Sequence, residues 1–466
     1  QRGRGNWGRG NWKNCWAPTI PDPATHRTMR RILAIAVIAI RSAVRSRMVV
    51  SLLFLMGLAV IGLPLTLKGD GTAEGQLRII LTYSLGAAFA LLALSSVWAG
   101  AMSIAQEIEE RQIQLLAVKP VRRAEIWLGK WLGLMAVNTV LLVAAGAATA
   151  ALLPRDLLDA QTAGATDWRA VFQPVAPQAE DLEAQAVQRY EQYLREGRVP
   201  EGLTRAQALE AVRQEVTGRS LAVYPGQRRD WRFTLPRAPA PGEIIRLRLR
   251  FSAAERHADP LRGRWLAGPP DQPEAWQLAR THAPEAHHVV EIPASALGGS
   301  RELSLSYINE DPAHITIVFN PVDGLRLLLP AGTFVENYAR ALMLLLIRLG
   351  FLTALGVTAG ALFSSPVALF MAVAFIFMTQ LTTHAGTDPV AGSGALRIME
   401  QVSYALRAAL APLRGPPVLD TVATGLLVET AWLLRVGLIQ LAAGGGLLAL
   451  LGSGILARRE LALPQN

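Results

Sequence analysis

Residues 79–104 read IILTYSLGAAFALLALSSVWAGAMSI and carry no charged side chain. A helix of about 20 apolar residues is long enough to cross the hydrocarbon core of a bilayer. This run therefore predicts a membrane-spanning helix, and five other runs predict the same structure: 49–67, 126–153, 341–362, 367–381 and 432–457. We expect a membrane all-α bundle of six transmembrane helices, because only helices and closed barrels satisfy their backbone hydrogen bonds in lipid.

The composition separates the chain from ordinary soluble enzymes. Of its 466 residues, 51% are hydrophobic and only 18% are charged, whereas about 25% of the residues of a typical soluble domain are charged. The net charge of +10 stands largely beside apolar runs, which favours a membrane rather than nucleic acid as the partner of the basic residues. Cys15 is the single cysteine, which excludes an intrachain disulfide and a multi-cysteine zinc or iron–sulfur site.

The central region, 154–335, has the polar, proline-rich composition of a soluble domain. Residues 179–196 and 204–216 have the periodicity of two helices. Beyond Arg219 the pattern changes to a period of two, most clearly in EIIRLRLRF at 243–251, which is typical of strands. The sequence therefore predicts an inserted soluble α+β domain, formed by a helical hairpin and an antiparallel β-sandwich.

These assignments divide the chain into four segments. Residues 1–28 contain the pentad GRGNW twice and are expected to be a disordered or non-native N-terminal tail. Residues 29–153 hold an interfacial helix, at 30–47, and transmembrane helices 1–3. The extracytoplasmic insertion occupies 154–335, and residues 336–466 hold transmembrane helices 4–6. RNA binding by the short N-terminal repeat is disfavoured, so no nucleic acid partner is expected.

Lysine and arginine collect in three segments that connect or flank the apolar runs, namely 30–47, 105–125 and 458–459. Such residues mark the cytoplasmic side of a membrane protein. We therefore expect a multi-pass protein of the cell inner (plasma) membrane, with both termini in the cytoplasm and the insertion outside it. Trp127 and Trp131 are expected to face lipid near the interface.

The loop between the second and third apolar runs reads AQEIEERQIQLLAVKPVRRAEIWLGKWLG at 105–133. Its first part predicts a short charged helix with Glu107, Glu110 and Arg111 on one side, because residues three and four apart share a helix face. Pro120 ends that element, since the residue before a proline avoids the helical region. The loop is thus expected to present a surface to a partner in the cytoplasm.

This loop resembles the coupling segment of ABC-2 type ABC transporter permeases, in which a Glu-rich helix, a Leu-Leu pair, a proline near arginine and a Gly-Lys pair recur between spans two and three. The matching residues are Glu107, Glu110, Arg111, Leu115, Leu116, Pro120, Arg123, Glu125, Gly129 and Lys130. The interfacial basic helix, the six-span order, FSSPVA at 363–368 and RREL at 458–461 extend the resemblance. The large insertion departs from the simplest members, which leaves the substrate open.

The resemblance implies a permease subunit that forms a homodimer and couples ATP hydrolysis on a separate cytoplasmic ABC ATPase to export, to extraction of a substrate or to mechanical signalling. The implied ATPase-docking residues are Glu107, Glu110, Arg111, Leu115, Leu116, Pro120 and Arg123. The chain has no GxxxxGK[ST] phosphate loop, so it is not expected to be the enzyme, and ATP belongs to the partner. No catalytic, cofactor-binding or metal residues are expected in it. Its other partners would be the lipid bilayer and a periplasmic protein or a glycan at the insertion.

Two other classes of function are weighed against this one. A membrane-anchored extracytoplasmic β-sandwich binding module without an ATPase would need only one or two spans. An intramembrane enzyme would bring polar catalytic groups together within the spans, where the sequence has only scattered arginines.

One arginine within the spans is a candidate functional residue. Arg348 is the membrane-embedded polar residue of interest, because an arginine inside a bilayer has a high free energy unless it is paired or hydrated. We expect it to face a subunit interface or a polar cavity. The candidate partners are Glu336, Gln380, His384 and Glu429.

Three groups of residues in the insertion have both a functional and a structural interpretation. The arginines of 246–250 are expected to form the solvated face of a strand rather than an anion site. A metal site at Glu285 and 287–288 is disfavoured, because adjacent histidines on an extended chain point to opposite faces. Trp231, Trp265 and Trp276 are expected to pack in the core rather than to stack on a sugar.

Overall fold

The computed structural model describes residues 23–45, 47–67, 78–110, 121–153, 171–178, 181–198, 205–255, 259–320, 324–371, 373–374 and 418–458. The chain divides into two compact units. The membrane unit comprises Gln1–Pro154, Tyr338–Ala423 and Val428–Asn466, and the insertion unit comprises Arg155–Asn337 with Thr424–Leu427.

The described helices are, in chain order, α1 (Pro23–Arg45), α2 (Val49–Thr66), α3 (Ile79–Glu109), α4 (Arg123–Leu152), α5 (Leu182–Arg195), α6 (Arg205–Leu221), α7 (Phe334–Leu362), α8 (Val418–Ala423) and α9 (Thr430–Arg458). Five of them, α2, α3, α4, α7 and α9, are long and apolar enough to cross a membrane. They correspond to five of the six predicted spans. The remaining predicted span, 367–381, lies mostly outside the described residues.

Helix α1 packs along α4 through two glycines of α4. A Cβ added at Gly133 would lie 2.6 Å from the carbonyl oxygen of Ala36, and one added at Gly129 would lie 2.7 Å from Cβ of Ile35. This spacing of small residues is the pattern that lets two helices approach closely in a membrane. The predicted interfacial helix is therefore held against the bundle by its Ile35 and Ala36 face.

Helix α7 approaches α3 in the same manner. A Cβ added at Gly356 would lie 2.5 Å from the carbonyl oxygen of Val97, and one added at Gly360 would overlap the carbonyl oxygen of Ala101. Backbone here packs directly against backbone. Because lipid removes the hydrophobic drive for helices to associate, such dense packing becomes a principal attraction between them.

Two tryptophans of α4 contribute polar contacts inside the bundle. Trp127 is only 3% exposed, and its indole nitrogen donates to Oγ1 of Thr358 at 3.2 Å. The indole of Trp131 donates to the carbonyl oxygen of Gly350 at 2.9 Å. The expectation that Trp127 faces lipid is therefore wrong, because its N–H finds a partner on α7 that an apolar lipid tail cannot supply.

The insertion unit begins with a helical pair. Helices α5 and α6 pack through a small apolar cluster that includes Tyr190, Ala208 and Val212. Asp181 caps α5 by accepting a hydrogen bond from the backbone N–H of Ala184 at 3.0 Å, which satisfies one of the free donors at the start of a helix. The predicted helical part of the insertion is confirmed.

The rest of the insertion unit is antiparallel β-structure. The strands are β1 (Phe172–Val175), β2 (Ala222–Val223), β3 (Arg228–Thr234), β4 (Ile244–Leu249), β5 (Phe251–Ala253), β6 (Leu261–Gly268), β7 (Trp276–His282), β8 (His288–Pro293), β9 (Glu302–Asn309), β10 (Ile317–Phe319) and β11 (Leu325–Pro330). They form two four-stranded sheets, β1-β11-β4-β8 and β3-β9-β6-β7, and a three-stranded sheet, β2-β10-β5. The predicted antiparallel β domain is therefore present.

One hydrophobic core takes side chains from all three sheets. Leu247 of β4, Trp265 of β6 and Phe319 of β10 all belong to it. Trp265 is fully buried, and its ring lies 4.6 Å from that of Tyr307. Trp231 and Trp276 pack against the same cluster. The prediction of core packing for the three tryptophans is confirmed.

The arginines of β4 depart from the predicted solvated face. Arg246 is buried, its guanidinium carbon lies 5.0 Å from the centre of the Phe172 ring, and its Nε lies 3.5 Å from Glu291. Glu291 lies directly opposite Arg246 on the neighbouring strand β8, and Phe172 lies on β1, two strands away on the other side of β4. The expectation of a solvated arginine face is wrong at Arg246.

A segment remote in sequence joins the insertion unit. The carbonyl oxygen of Gly425 accepts a hydrogen bond from the N–H of Phe172 at 2.8 Å, and the N–H of Leu427 donates to the carbonyl oxygen of Phe172 at 2.8 Å. The side-chain amide of Asn337 donates to the carbonyl oxygen of Leu426 at 2.8 Å. Residues 424–427 thus extend the edge of the sheet at β1.

We expect the glycine contacts of α7 to control the stability of the membrane unit. Replacing Gly360 by Ala should destabilise the protein by about 1–3 kcal/mol, because the new methyl group overlaps backbone that cannot move away easily. The matched control is Gly454→Ala on α9, where nothing lies within 4 Å of the added Cβ and alanine should stabilise the helix by up to about 1 kcal/mol. Thermal unfolding in detergent, followed by tryptophan fluorescence, measures both. Equal melting temperatures for the two variants would contradict the packing argument.

Candidate functional site

The apolar run at 79–104 continues as one helix into the charged residues at the start of the loop at 105–133. Helix α3 ends at Glu109, whereas the sequence predicted a separate short helix after 104. The residues at 105–110, AQEIEE, contain no glycine or proline and are mostly good helix formers, so nothing interrupts the helix. Glu107 therefore belongs to the same continuous helix, which is long enough to cross a bilayer.

A buried ion pair joins α3 to α4 at this end of the bundle. Lys130 is only 4% exposed, and its Nζ donates to Oε1 of Glu107 and, at 2.6 Å, to the carbonyl oxygen of Ser103. Oε2 of Glu107 is also buried and has no hydrogen-bond partner among the described residues. A buried ammonium is tolerated only when it is paired, so this contact fixes α3 and α4 together.

A second carboxylate holds the start of α4. Glu125 accepts a hydrogen bond from the backbone N–H of Arg122 at 3.1 Å, and the guanidinium of Arg31 lies 3.9 Å from the same oxygen. Glu125 is the third residue of α4, where a negative charge favours the positive end of the helix dipole. The contact also ties α1 to α4.

Glu109 connects the loop to a segment far along the chain. Its Oε1 accepts a hydrogen bond from the backbone N–H of Ser365 at 2.8 Å. Ser365 begins the helical residues 365–371, so the carboxylate satisfies one of the free N–H groups at a helix start. Two motifs quoted separately in the sequence, the Glu-rich helix end and FSSPVA, are thus in direct contact.

The structure describes three of the predicted docking residues. Glu107 turns toward Lys130, Glu110 is exposed and accepts from the side chain of Gln106 at 2.7 Å, and Arg123 is half-buried at the start of α4. The others, Arg111, Leu115, Leu116 and Pro120, lie outside the described residues. Of the described three, Glu110 has the exposure that contact with a partner needs.

Sequence reasoning did not assign the supporting role of this ion pair. Lys130 was only a point of resemblance, Glu107 was expected to dock the ATPase, and Glu109 was not singled out. An ionisable residue inside an apolar run indicates a functional or structural polar contact, and Lys130 is such a residue in the run at 126–153. Its partner lies on another helix, however, and sequence spacing does not specify contacts between helices.

Arg348 lies half-buried on α7, and its Nε is buried without a hydrogen-bond partner in the described part of the chain. Glu336 is on α7 as well, about 18 Å away along the helix axis at 1.5 Å per residue. This separation is too long for a contact between the side chains of Glu336 and Arg348 within one chain. Gln380 and His384 lie outside the described residues, and the described ion pairs include none between Arg348 and Glu429.

The acidic and histidine residues near 285–288 do not assemble into a metal site. Within the described ranges, no group of three or more histidine, cysteine, aspartate or glutamate side chains is placed to hold a metal ion. Glu285 lies 3.3 Å from Arg250, and Nε2 of His288 is 2.7 Å from the carbonyl oxygen of Ala283. These contacts favour a structural role for the turn.

A buried histidine of the same turn has a strongly shifted pKa. Burial, followed by the positive charges of His288 and Arg280, lowers the pKa of His282 to about 4. The His282 and His288 rings lie 4.6 Å apart. The folded protein therefore keeps His282 neutral at pH values where the unfolded chain would protonate it.

Comparison of the chain with protein-family models, curated proteins and solved structures gave no match. The residues quoted from the sequence therefore carry the resemblance to ABC-2 permeases by themselves.

We expect the two partners of the buried ion pair to be strongly coupled. Lys130→Met should destabilise the protein by about 3 kcal/mol or more, because it leaves the Glu107 carboxylate without its cation. Adding Glu107→Leu to that variant should recover at least half of the loss, since an apolar pair of similar volume has no desolvation penalty. Unfolding of the two single variants and the double variant in detergent measures the coupling. Additive losses would show that the pair is not the source of the effect.

The pKa of His282 predicts how stability depends on pH. Because the folded pKa of about 4 is below the ordinary value of about 6.5, the unfolded chain binds the proton first. The contribution of His282 is complete above pH 6.5 and is lost as the pH falls toward 4, by about 1–3 kcal/mol. Unfolding of the full chain and of His282→Phe between pH 7 and 4 should show a smaller pH slope in the variant. An unchanged slope would mean that other groups dominate.

Proposed function

We propose that this chain is the transmembrane permease subunit of an ABC-2 type transporter. A separate cytoplasmic ABC ATPase would dock on the loop at 105–125 and drive export, extraction of a substrate or mechanical signalling across the membrane. The observation that carries the proposal is that carboxylates at the two ends of this loop contact the membrane helices: Glu107 binds the buried Lys130, and the buried Glu125 lies beside Arg31.

Three contacts support this coupling role. Glu107 pairs with Lys130 between α3 and α4, Glu125 lies beside Arg31 of α1, and Glu109 caps the helical residues 365–371. A force applied to the loop would therefore reach four helical segments at once. A solvated turn without a partner would not require Glu107 and Glu125 to pack against the bundle.

The orientation of the subunit depends on the predicted sixth span. Five membrane-length helices and the span at 367–381 together would return the C-terminus to the side of α1. Both termini and the loop at 105–125 would then be cytoplasmic, in agreement with the lysines and arginines there, and the insertion unit would be outside. We propose that two such subunits pair, with Arg348 at the subunit interface or in a polar cavity.

The binding-module alternative has less support. The antiparallel β domain of the insertion unit would suit it, and a periplasmic protein or a glycan would be its partner. A membrane anchor, however, needs one or two spans, and the structure has five helices long enough to cross a bilayer. The extra helices favour a transport bundle.

Reversing charge on the exposed part of the loop should uncouple the ATPase. An ABC ATPase sought among the neighbouring genes would be co-purified with the chain, and its activity measured in nanodiscs. Glu110→Lys and Arg111→Glu should each reduce stimulation of that activity by about tenfold, because docking contacts between opposite charges become repulsive. The matched control is Glu191→Lys on exposed α5, which should leave the activity unchanged.

Topology tests the same proposal without the ATPase. Since Cys15 is the single cysteine, Cys15→Ser combined with Lys119→Cys gives a chain with one reactive thiol in the loop. A membrane-impermeant maleimide should label it only after the cells are opened, whereas Ala275→Cys in the insertion unit should be labelled on intact cells. Labelling of Lys119→Cys from outside, or unaltered stimulation in both loop variants, would overturn the proposal.

A further inference from the structure

The membrane unit contains a cavity of about 540 Å³ between α1, α2, α3 and α4. This volume is within the range of about 300–1,000 Å³ that is usual for small-molecule sites. Its apolar wall includes Ile38, Leu52, Ala99, Leu134 and Leu141. This volume is enough for one alkyl chain with a small head.

One end of this cavity is charged. Glu107, Glu110 and Lys130 line it together with Ser103. The carboxylate of Glu107 faces the ammonium of Lys130 there. The ammonium of Lys130 is committed to Ser103 and to one oxygen of Glu107, whereas the other oxygen of Glu107 is buried without a hydrogen-bond partner among the described residues.

A buried carboxylate oxygen without a partner is destabilising unless a donor reaches it. The complementary ligand group is a cation that carries N–H donors, since a charge-assisted hydrogen bond is about twice as strong as a neutral one. The apolar wall requires an alkyl chain behind that head. Heads that carry only negative charge fit less well, because they would meet the carboxylate of Glu107 and an ammonium that is already committed.

We propose that this cavity binds an amphiphile with a primary-ammonium head, which donates to Oε2 of Glu107 while one alkyl chain lies between α1 and α3. The ethanolamine phospholipids of a bilayer have this chemistry. The proposal requires that the chain lies in a membrane, and it is independent of the ATPase.

The test uses Trp98, which lines the cavity, as a contact probe. The full chain is reconstituted in nanodiscs that contain a small fraction of phospholipid with brominated chains, since bromine quenches tryptophan fluorescence on contact. Three head groups are compared: phosphatidylethanolamine, phosphatidylcholine and phosphatidylglycerol. The difference between the wild-type chain and Trp98→Phe isolates the quenching of this one tryptophan.

Brominated phosphatidylethanolamine should quench Trp98 at about a tenfold lower mole fraction than phosphatidylcholine, whose head has no N–H, because one charge-assisted hydrogen bond distinguishes them. Glu107→Gln should abolish that preference. Ala99→Phe fills the cavity wall and should remove the preferential quenching even if Glu107→Gln fails to fold. The matched control is Ala90→Phe on the exposed face of α3, which should leave the quenching as in the wild-type chain.

Equal quenching by the three head groups would show ordinary contact with bilayer lipid and would overturn the proposal. A preference for phosphatidylglycerol would assign head-group recognition to Lys130 and would also overturn it. Persistence of the preference in Ala99→Phe would place the bound lipid outside the cavity. None of these results depends on an ATPase, so failure here and failure of the transport proposal are separate outcomes.

Discussion

The contact between Lys130 and Glu107 constrains the end of the membrane unit from which the loop at 105–125 leaves. An ammonium that is only 4% exposed must keep its counter-charge, because an unpaired buried charge destabilises a protein by several kcal/mol. Helices α3 and α4 can therefore slide or separate at this point only if the pair is broken. The loop that joins the two helices follows Glu107 and precedes Lys130 in the chain, so a movement of the loop that leaves the pair intact would move α3 and α4 together.

Small residues make this constraint effective along the helices. Gly129 is next to Lys130 and lets α1 contact α4, and Gly356 and Gly360 bring the backbone of α7 against α3. Close packing leaves little room for local adjustment, so helices joined in this way move together or rearrange between discrete positions. The glycine contacts thus join α1 and α7 by shape to α3 and α4, the two helices that the ion pair holds by charge.

The fold was predictable from the sequence to the extent that it depends on local patterns. Apolar runs identified the five described spans, and the alternation at 243–251 identified strand structure. Contacts between distant segments were not predictable: Trp127 finds its acceptor on α7, Arg246 packs on Phe172, and residues 424–427 join β1. The spacing of apolar residues along the sequence indicates which face of a helix or strand is buried, but it does not indicate which other element packs on that face.

The ion pair has a further implication, because an apolar pair would hold the helices at least as well. Replacement of buried ion pairs by well-packed apolar residues is often neutral or stabilising, so stability alone does not account for Lys130 and Glu107 at this position. A charged pair differs from an apolar one in two respects: its geometry is directional, and it leaves polar atoms that a ligand can use. The first suits a joint that transmits force from the loop, and the second suits the cavity that the pair lines. Both roles rely on the same carboxylate, since Oε1 of Glu107 holds Lys130 while Oε2 remains available to a donor. An ammonium head bound there would give Oε2 a donor but would repel the ammonium of Lys130, so occupancy of the cavity and the strength of the joint are expected to oppose each other.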